Sequence, residues 1–485
     1  MTYNLLDEPW IPVLRTNGRV NRVGIRAALT EAKNIRQIVA SSPMDRFAIL
    51  RFLLAMKYWC EGAPSLPRAD SSTASLSPGG LSKLDGKRED FDLFGKDRRF
   101  YQFGGGCNSR LLSANYLLHE IPTGTNFSHF RHSRDDEDGL CPACCAMGLV
   151  RLPVFTTMGG RGQGKGGQGK GPGINMAPPI YAIPLGESLF QTLGFSWVPV
   201  SDLGNPAWEV PDAPLPPAGA IPLLIGLTWL PRRVWLEEPG NIEKCCISCG
   251  RKERLVLRTV FEGRGKTRPG TWHDPHSLPK VGKGSPSTGL HALDTVKKSD
   301  AAAGQWISIV EALLSKKPLS FNGGAPPSWY VVAFSTDQNK YLEAVEWLVP
   351  PNPSPGTKDA LADALKRWER RWDSPALLKK LFPEVKGPRR DGEGKRLRSL
   401  LDSVHPHAEQ EIGVHAMACL KDERGVWEPP MESYRSMSKL ISGSLFPGPT
   451  ILAVEMRKHI GEDFLLMDGV AKAKRPRTHR RRSAL

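Results

Sequence analysis

Two Cys-x-x-Cys pairs that lie far apart in the sequence constrain the fold of this chain more than any other feature. The first pair is Cys141 and Cys144, and the second is Cys246 and Cys249. A two-residue spacer lets two thiolates converge on one ion, and two such pairs complete the tetrahedron that zinc prefers. The spacing therefore predicts a zinc site that holds two distant segments together.

Three alternatives remain open at these cysteines. Cys245 directly precedes Cys246 and could replace it as a ligand. The thiols could instead pack without metal, or form a redox pair, although neither pair is surrounded by a thioredoxin-like βαβ pattern. Four cysteine ligands leave no open position on the ion, so a zinc bound here is predicted to be structural rather than catalytic.

The cysteine content also bears on the compartment. The chain has nine cysteines, and no secretory pattern follows Met1. This combination is typical of a reducing compartment and predicts a cytoplasmic protein without disulfides. The longest apolar run, "FAILRFLLAMKYW", is interrupted by Arg51 and Lys57. It predicts a buried helix over Met44–Trp59 rather than a membrane span.

Charge indicates the kind of partner. The 485 residues carry a formal net charge of +16, and seven of the positive charges lie between Lys472 and Arg482. The rest of the chain is still basic, which favours polyanions such as nucleic acid. Residues 471–485 are predicted to form a disordered basic tail that adds unspecific affinity for nucleic acid.

Composition divides the chain in two. Residues 1–350 mix short strand-like runs ("PLLIGLTWL", "LVLRTVF", "WYVVAF") with helical patterns at Met44–Trp59 and Gln305–Leu314, which predicts a large, loop-rich α+β domain. The proline-rich segment Asn205–Pro222 predicts an extended connector within it. The segment "VPPNPSPG" predicts the domain boundary, and the apolar stripes after it predict a four-helix bundle over 357–470.

Two glycine-rich segments carry basic residues. The first, "MGGRGQGKGGQGKG", includes Gly159, Gly160 and Gly162, and the second, "FEGRGKTRPG", includes Arg264 and Lys266. Glycine lets a backbone approach a ligand closely, so both segments could contact phosphate or enter a minor groove. A flexible linker and a solvated hairpin tip explain the same composition.

The segment "TWHDPHSLP" brings His273, Asp274 and His276 together in sequence. These residue types could bind a metal and support a metal-dependent nuclease. However, Pro275 lies between the histidines and no second acidic cluster stands nearby, so the pattern favours a turn satisfied by its own side chains. No Walker loop, nucleophile elbow or H-E-x-x-H motif is present.

Six motifs in this order resemble CasA, the large subunit of the type I-E CRISPR Cascade complex. They are "NLLDEPWIPV", "FDLFGKDRRFYQ", "GTNFSHF", "MGGRGQGKGG", "KCCISCG" with "WHDPHSLP", and "FSTDQNKYLEAVEW". The resemblance covers most of residues 1–350. It implies a non-catalytic subunit, bound to crRNA and to the backbone, handle-binding and small subunits, that reads the PAM on double-stranded target DNA. It further implies that the subunit opens the duplex for R-loop formation and helps recruit the helicase–nuclease.

The resemblance also assigns residues. The family's glycine loop falls on Gly159, Gly160 and Gly162, and its lysine finger falls in the segment with Arg264 and Lys266, both of which remain candidates. Its glutamine wedge falls on Gln338, next to Asn339. The contact with the crRNA handle is expected near Asn126, with Phe127, His129 or Phe130 as the stacking residue.

Two features depart from the family. The glycine loop is longer and more basic, which implies extra phosphate contact or a more relaxed PAM preference, and the basic tail is additional. Two other functions stay open on the residues alone. One is the metal-dependent nuclease, and the other is a sequence-unspecific RNA- or DNA-binding protein.

Overall fold

The computed structural model describes residues 2–65, 76–103, 111–121, 138–156, 173–175, 178–264, 270–279, 312–313, 327–337 and 340–349. Apart from Ala312 and Leu313, these residues belong to one of the two units into which the chain divides, residues 1–296 with 315–351. The predicted bundle over 357–470, the basic tail and most of the helix expected at Gln305–Leu314 lie outside the described residues. They remain predictions.

Helices and strands are mixed along this unit, as the α+β prediction requires. The helices are α1 Ile25–Thr30, α2 Pro43–Glu61, α3 Pro78–Gly86, α4 Pro142–Phe155, α5 Leu189–Ser196 and α6 Leu223–Thr228. Short 3-10 helices cover Ala32–Asn34, Arg88–Phe91 and Ala114–Leu117. Among the described residues, no helix is long and apolar enough to cross a membrane.

The strands are short except for the last two. They are β1 Ile11–Arg15, β2 Val20–Val23, β3 Ile35–Ile38, β4 Leu111–Ser113, β5 Tyr181–Leu185, β6 Arg232–Leu236, β7 Glu243–Cys245, β8 Lys252–Arg254, β9 Arg258–Gly263, β10 Ser328–Asp337 and β11 Lys340–Val349. Within the described ranges they pair antiparallel, in the orders β2-β1-β3, β11-β10-β5, β4-β9-β6 and β7-β8.

Helix α2 forms the centre of the core and confirms the helix predicted at Met44–Trp59. It begins after Ser42, whose Oγ accepts a hydrogen bond from the Met44 N–H, with Pro43 in the first turn. It ends at Gly62, whose φ of 75° lies in the region that favours glycine. Buried residues occur on every side of α2, as expected for a helix enclosed by other elements.

The proline-rich segment Asn205–Pro222 is not the extended connector that the sequence predicts, because it contains turns and packs into the core. Its Trp208 is 2% exposed and lies among the rings of Phe52, Trp59 and Tyr101, with centroid separations of 5.7–6.1 Å. The segment therefore contributes an aromatic anchor to the same core as α2.

One strand prediction is wrong. The run "PLLIGLTWL" forms α6, and the Thr228 Oγ1 of its last turn donates to the Leu224 carbonyl at 2.6 Å. The run is apolar on all sides because α6 packs between α2 and the loop that carries Trp272. A short, fully apolar run does not distinguish a buried helix from a buried strand. The other two strand predictions correspond to β9 and β10.

Candidate functional site

The two cysteine pairs meet at one point of the fold. Cys141 is the N-cap residue of α4 and Cys144 lies in the first turn of that helix. Cys246 and Cys249 lie in the turn that connects β7 to β8. The four Sγ atoms all lie within 4.8 Å of one another, which confirms that the distant segments converge.

The spacing of the sulfurs fits a tetrahedral metal site. The Sγ atoms of Cys141 and Cys249 lie 3.7 Å apart. A tetrahedron with zinc–sulfur bonds of about 2.3 Å has sulfur–sulfur edges of about 3.8 Å. Within the described residues, no other group of three or more histidines, cysteines, aspartates or glutamates converges in this way.

Backbone hydrogen bonds fix the shape of the β7–β8 turn. The Cys246 N–H donates to the Arg251 carbonyl and the Gly250 N–H donates to the Cys246 carbonyl, each at 2.8 Å. Gly250 has a φ of 71°, which a residue with a Cβ adopts only with strain. The Cys141 N–H also donates to the Cys246 Sγ at 3.3 Å, so the helix start and the turn are joined directly.

The surroundings affect the ionisation of the four thiols differently. The N-terminus of α4 contributes a partial positive charge at Cys141 and Cys144. Hydrogen bonding by the Cys144 thiol lowers the pKa of Cys249 to about 6, although burial acts in the opposite direction. Hydrogen bonds to Cys141, and then to Cys246 and Cys249, raise the pKa of Cys144 well above its ordinary value. The thiols therefore share their protons unequally.

Arg22 of β2 is part of this environment, although no motif in the sequence points to it. Burial acts to lower the pKa of its guanidinium, but a hydrogen bond to Cys249 and the nearby charges of Cys144 and Cys141 raise it. Four thiolates around a divalent ion would carry two net negative charges, and the guanidinium of Arg22 is placed to offset part of that charge.

The other cysteines near the site lie outside the four-sulfur cluster. Cys245 is exposed on β7, which resolves the choice between Cys245 and Cys246 in favour of Cys246. Cys145 is fully buried in α4, and its Sγ lies 3.9 Å from the Leu140 carbonyl oxygen. Its role is packing.

The segment with His273, Asp274 and His276 forms a turn, as the sequence favoured. The Asp274 Oδ1 accepts a hydrogen bond from the His276 N–H at 3.0 Å, and the Ser277 hydroxyl donates to the Asp274 carbonyl at 3.2 Å. His273 is exposed, whereas the Asp274 side chain is buried against Arg51 at 2.7 Å. The three side chains do not converge on a common ion, so this arrangement gives no support to a metal-dependent nuclease.

Arg264 lies at the end of β9 and is held within the fold. Its guanidinium carbon lies 4.8 Å from the ring centroid of Phe103 and 5.4 Å from that of Trp229. Its terminal nitrogens donate to the carbonyl oxygens of Leu230 at 3.1 Å and Asp212 at 2.7 Å. The side chain is 9% exposed. Lys266 lies outside the described residues.

The hairpin of β10 and β11 carries the predicted wedge. The two strands pair from Trp329 opposite Val349 to Asp337 opposite Lys340, so two residues, Gln338 and Asn339, connect them. Strand β5 pairs only with the first half of β10, Ser328–Val332. The hairpin thus extends beyond the third strand of its sheet. Gln338 and Asn339 themselves lie outside the described residues.

The base of this hairpin is attached to α2 by a polar cluster. Glu346 of β11 forms an ion pair with Arg46 of α2 and accepts a hydrogen bond from the Tyr330 hydroxyl of β10. The sequence does not reveal either partner of Glu346. Arg46 lies 300 residues earlier in the chain, and the pairing with Tyr330 depends on the register of the neighbouring strand. The cluster fixes how the hairpin leaves the core.

The remaining predicted residues lie outside the described ranges, but the flanks of one segment are well defined. Gly159, Gly160 and Gly162 lie between Thr156, at the end of α4, and Gly173. A Cβ at Gly173 would come within 2.8 Å of the Thr156 carbonyl oxygen, so the two flanks are in contact. Asn126, Phe127, His129 and Phe130 fall in the undescribed stretch 122–137, which ends shortly before Cys141.

Comparison with known proteins gives the class of the fold first. A solved structure of Thermus thermophilus CasA (Cse1) matches with a TM-score of 0.63 and 20% identity, over 96% of this chain and 99% of that one. A chain of a CRISPR RNA-guided surveillance complex matches with a TM-score of 0.59 and 15% identity, over 96% and 99%. The fold is therefore that of the CasA proteins.

Sequence comparison then gives the family. The curated CRISPR-associated protein CasA/Cse1 of Thermus thermophilus is 31% identical over 217 residues, which is 43% of this chain and 42% of that relative. The family model of CRISPR-associated protein Cse1 matches residues 4–294. The chain belongs to the CRISPR-associated protein Cse1 family, which confirms the resemblance to CasA seen in its motifs.

Proposed function

We propose that this protein is the non-catalytic large subunit of a type I-E Cascade complex, which reads the PAM on double-stranded DNA and opens the duplex beside it. Family membership and the likeness to a chain of an RNA-guided surveillance complex support a place in such an assembly. Its partners are then crRNA, the target duplex and the backbone, handle-binding and small subunits. It also helps recruit the helicase–nuclease that degrades the target.

The β10–β11 hairpin is the observation that carries the proposal. Its strands are ten residues long, pair to their ends, and extend past β5. The two connecting residues, Gln338 and Asn339, have short amide side chains that can enter a base step and hydrogen-bond the exposed base edges. A paired two-stranded ribbon with such a tip is suited to wedge a duplex open at the start of R-loop formation.

Of the two candidates for the minor-groove finger, Lys266 is the better one. The terminal nitrogens of Arg264 donate to carbonyl oxygens of its own chain, and its guanidinium lies against two aromatic rings. Lys266 follows two residues later in a glycine-flanked segment. Arg264 thus fixes the start of the segment, and Lys266 provides the charge that reaches DNA.

The glycine loop supplies the second reading element. Gly159, Gly160 and Gly162 bring a backbone without Cβ atoms close to base edges or sugars. Its flanks meet at Thr156 and Gly173, so the loop leaves and re-enters the fold at one place. The lysines and arginine beyond Gly160 add phosphate contacts.

The cysteine cluster is proposed to hold a structural Zn²⁺ through Cys141, Cys144, Cys246 and Cys249. The sulfur spacing, the α4 N-terminus and Arg22 support a tetrathiolate site. All four positions on the ion are filled by the protein, so the zinc has no role in a reaction. It fixes the chain just after residues 122–137, where Asn126, Phe127, His129 and Phe130 are proposed to contact the crRNA handle.

The test uses the assembled complex with a guide, a PAM-containing duplex, and the same target with a pre-opened bubble. Gln338→Ala should weaken binding of the duplex by on the order of tenfold or more and leave binding of the bubble unchanged. Gln37→Ala, on an exposed position of β3, is the matched control. Equal loss on both substrates would contradict the wedge. Equal binding of wild-type complex to PAM and PAM-randomised duplexes would instead favour unspecific binding to polyanions.

A further inference from the structure

Asp274 is a buried carboxylate that accepts hydrogen bonds from three separate parts of the chain. Its Oδ1 accepts from the Arg51 Nη1 at 2.7 Å and from the His276 N–H at 3.0 Å. Its Oδ2 accepts from the Asn175 Nδ2 at 2.9 Å and from the Trp272 Nε1 at 3.3 Å. The side chains of Asp274 and Arg51 are 2% and 1% exposed.

Two of the donors, Asn175 and Trp272, each follow an undescribed stretch of the chain. Asn175 lies three residues after the undescribed stretch that contains the glycine loop, and Trp272 lies three residues after the stretch that contains Lys266. Arg51 is in the middle of α2. The Asp274 carboxylate therefore connects the C-terminal flanks of both proposed DNA-reading segments to the central helix.

Each flank is itself well anchored. Asn175 Nδ2 also donates to the Tyr181 hydroxyl at 3.1 Å, and that hydroxyl donates to the Val154 carbonyl of α4 at 3.0 Å. On the other flank, the Trp272 ring lies directly over Gly226 of α6, where an added Cβ would come within 2.1 Å of it. Asp274 hydrogen-bonds to both of these anchored flanks and so links them to each other.

Packing alone does not explain a charge at this position. Burying an ion pair costs desolvation, and an apolar pair of the same size is often as stable or more so. A carboxylate, however, has two oxygens and about four acceptor sites, so it can hold several donors in fixed directions at once. An asparagine has one acceptor oxygen and could serve either the Arg51 side or the Asn175 and Trp272 side, but not both.

We propose that Asp274 is a positioning residue that holds the two flanks, at Asn175 and Trp272, in a fixed position relative to each other and to α2, and that discrimination of the PAM depends on this arrangement. This inference rests on the proposed function. Loosening either flank then reduces discrimination between PAM and non-PAM DNA more than it reduces overall DNA affinity.

The experiment measures the ratio of dissociation constants for PAM-randomised and PAM-containing duplexes, using the assembled complex. Asp274→Asn should lower this ratio on the order of tenfold, about the effect of losing one specific base contact. Asn175→Ala and Trp272→Phe should each lower it less, because each removes one donor and leaves the Arg51 pair intact. Asp90→Asn is the matched control, since Asp90 is a buried carboxylate paired with the exposed Arg98.

A second measurement separates positioning from general destabilisation. Asp274→Asn leaves a single acceptor oxygen in place of two. In that background Asn175→Ala should cause a smaller loss in the ratio than it does in the wild type, whereas independent effects would add. Thermal unfolding and crRNA content are recorded for each variant. If Asp274→Asn does not assemble, Asn175→Ala and Trp272→Phe still provide the test, because they leave the buried ion pair in place.

The outcomes are distinct. The wild-type complex could discriminate PAM while Asn175→Ala, Trp272→Phe and any assembled Asp274→Asn leave the ratio unchanged. That result would overturn the role of Asp274 and leave the proposed function standing. A fall in the ratio for Asp90→Asn as large as for Asp274→Asn would also overturn it. A wild-type complex that does not discriminate PAM would overturn the proposed function itself.

Discussion

The Sγ atoms of Cys141 and Cys249 lie 3.7 Å apart although 107 residues separate them in the chain. That distance matches the sulfur–sulfur edge of a zinc–thiolate tetrahedron, about 3.8 Å, and is far longer than the S–S bond of a disulfide, which is about 2.05 Å. The pair joins the start of α4 to the β7–β8 turn. Since α4 runs from this site to Phe155, the site also anchors the helix that leads to Thr156, the last described residue before the proposed glycine loop.

Removal of a ligand should therefore release zinc and destabilise the protein. We expect the purified wild-type protein to contain about one zinc ion per chain by elemental analysis, as a site with four protein ligands requires. Cys246→Ser should lose the zinc and lower the melting temperature by on the order of 5 °C or more. A strong chelator should have the same effect on the wild type.

Cys245→Ser is the control for this prediction. Cys245 is adjacent in sequence but exposed and outside the cluster. Its substitution should leave zinc content and melting temperature unchanged. Zinc loss in Cys245→Ser equal to that in Cys246→Ser would contradict the assignment of the ligands.

Substitution of Arg264 should affect the stability of the protein, whereas substitution of Lys266 should affect its binding of DNA. Arg264→Ala removes a guanidinium that bonds the Leu230 and Asp212 carbonyls and lies against Trp229, so the free energy of unfolding should fall by about 2 kcal/mol. Lys266→Ala should leave chemical denaturation unchanged and weaken binding of the PAM-containing duplex. If Lys266→Ala binds duplex as the wild type does, Lys266 is not the finger.

The sequence predicted features that depend on local spacing. The two Cys-x-x-Cys pairs correctly indicated a four-sulfur cluster, because each spacer brings two thiols to one side of a turn or helix start. The helix at Met44–Trp59 followed from its apolar periodicity and from the proline and serine at its start. The mixed α+β character followed from the alternation of short runs along residues 1–350.

Other features depend on which segments meet in space, and a single sequence does not contain that information. The run "PLLIGLTWL" became a helix because α2 and Trp272 enclose it on several sides. Arg264 gave the same basic signal as Lys266, and only its distant partners Asp212 and Trp229 distinguish the two. Likewise, the sequence pattern indicated that Asp274 belongs to a His/Asp cluster, whereas its principal partner is Arg51, over two hundred residues away.

The polar cluster at the base of the β10–β11 hairpin should control the wedge. Tyr330→Phe removes a hydrogen bond to the charged Glu346 and should lower the free energy of unfolding by about 1.5–3 kcal/mol. Because Glu346 also pairs with Arg46 of α2, the hairpin should become less firmly held, and duplex binding should fall while bubble binding stays. Equal affinity of Tyr330→Phe and wild type for the duplex would show that the hairpin is positioned by other contacts.

His119 should make stability depend on pH. Burial, and then the nearby Arg151, lower the pKa of His119 from its ordinary 6.5 to about 4. Between these values the unfolded chain binds a proton that the folded protein excludes, so this contribution to stability is complete above pH 6.5 and is lost as the pH falls towards 4. Each pKa unit by which the folded and unfolded states differ corresponds to about 1.4 kcal/mol in the free energy of unfolding. The free energies of unfolding at pH 7 and at pH 4.5 are measured by chemical denaturation. In His119→Leu they should differ by about 2–3 kcal/mol less than they do in the wild type, since leucine does not titrate. The same pH dependence in both proteins would mean that the pKa of His119 is not lowered in the folded state.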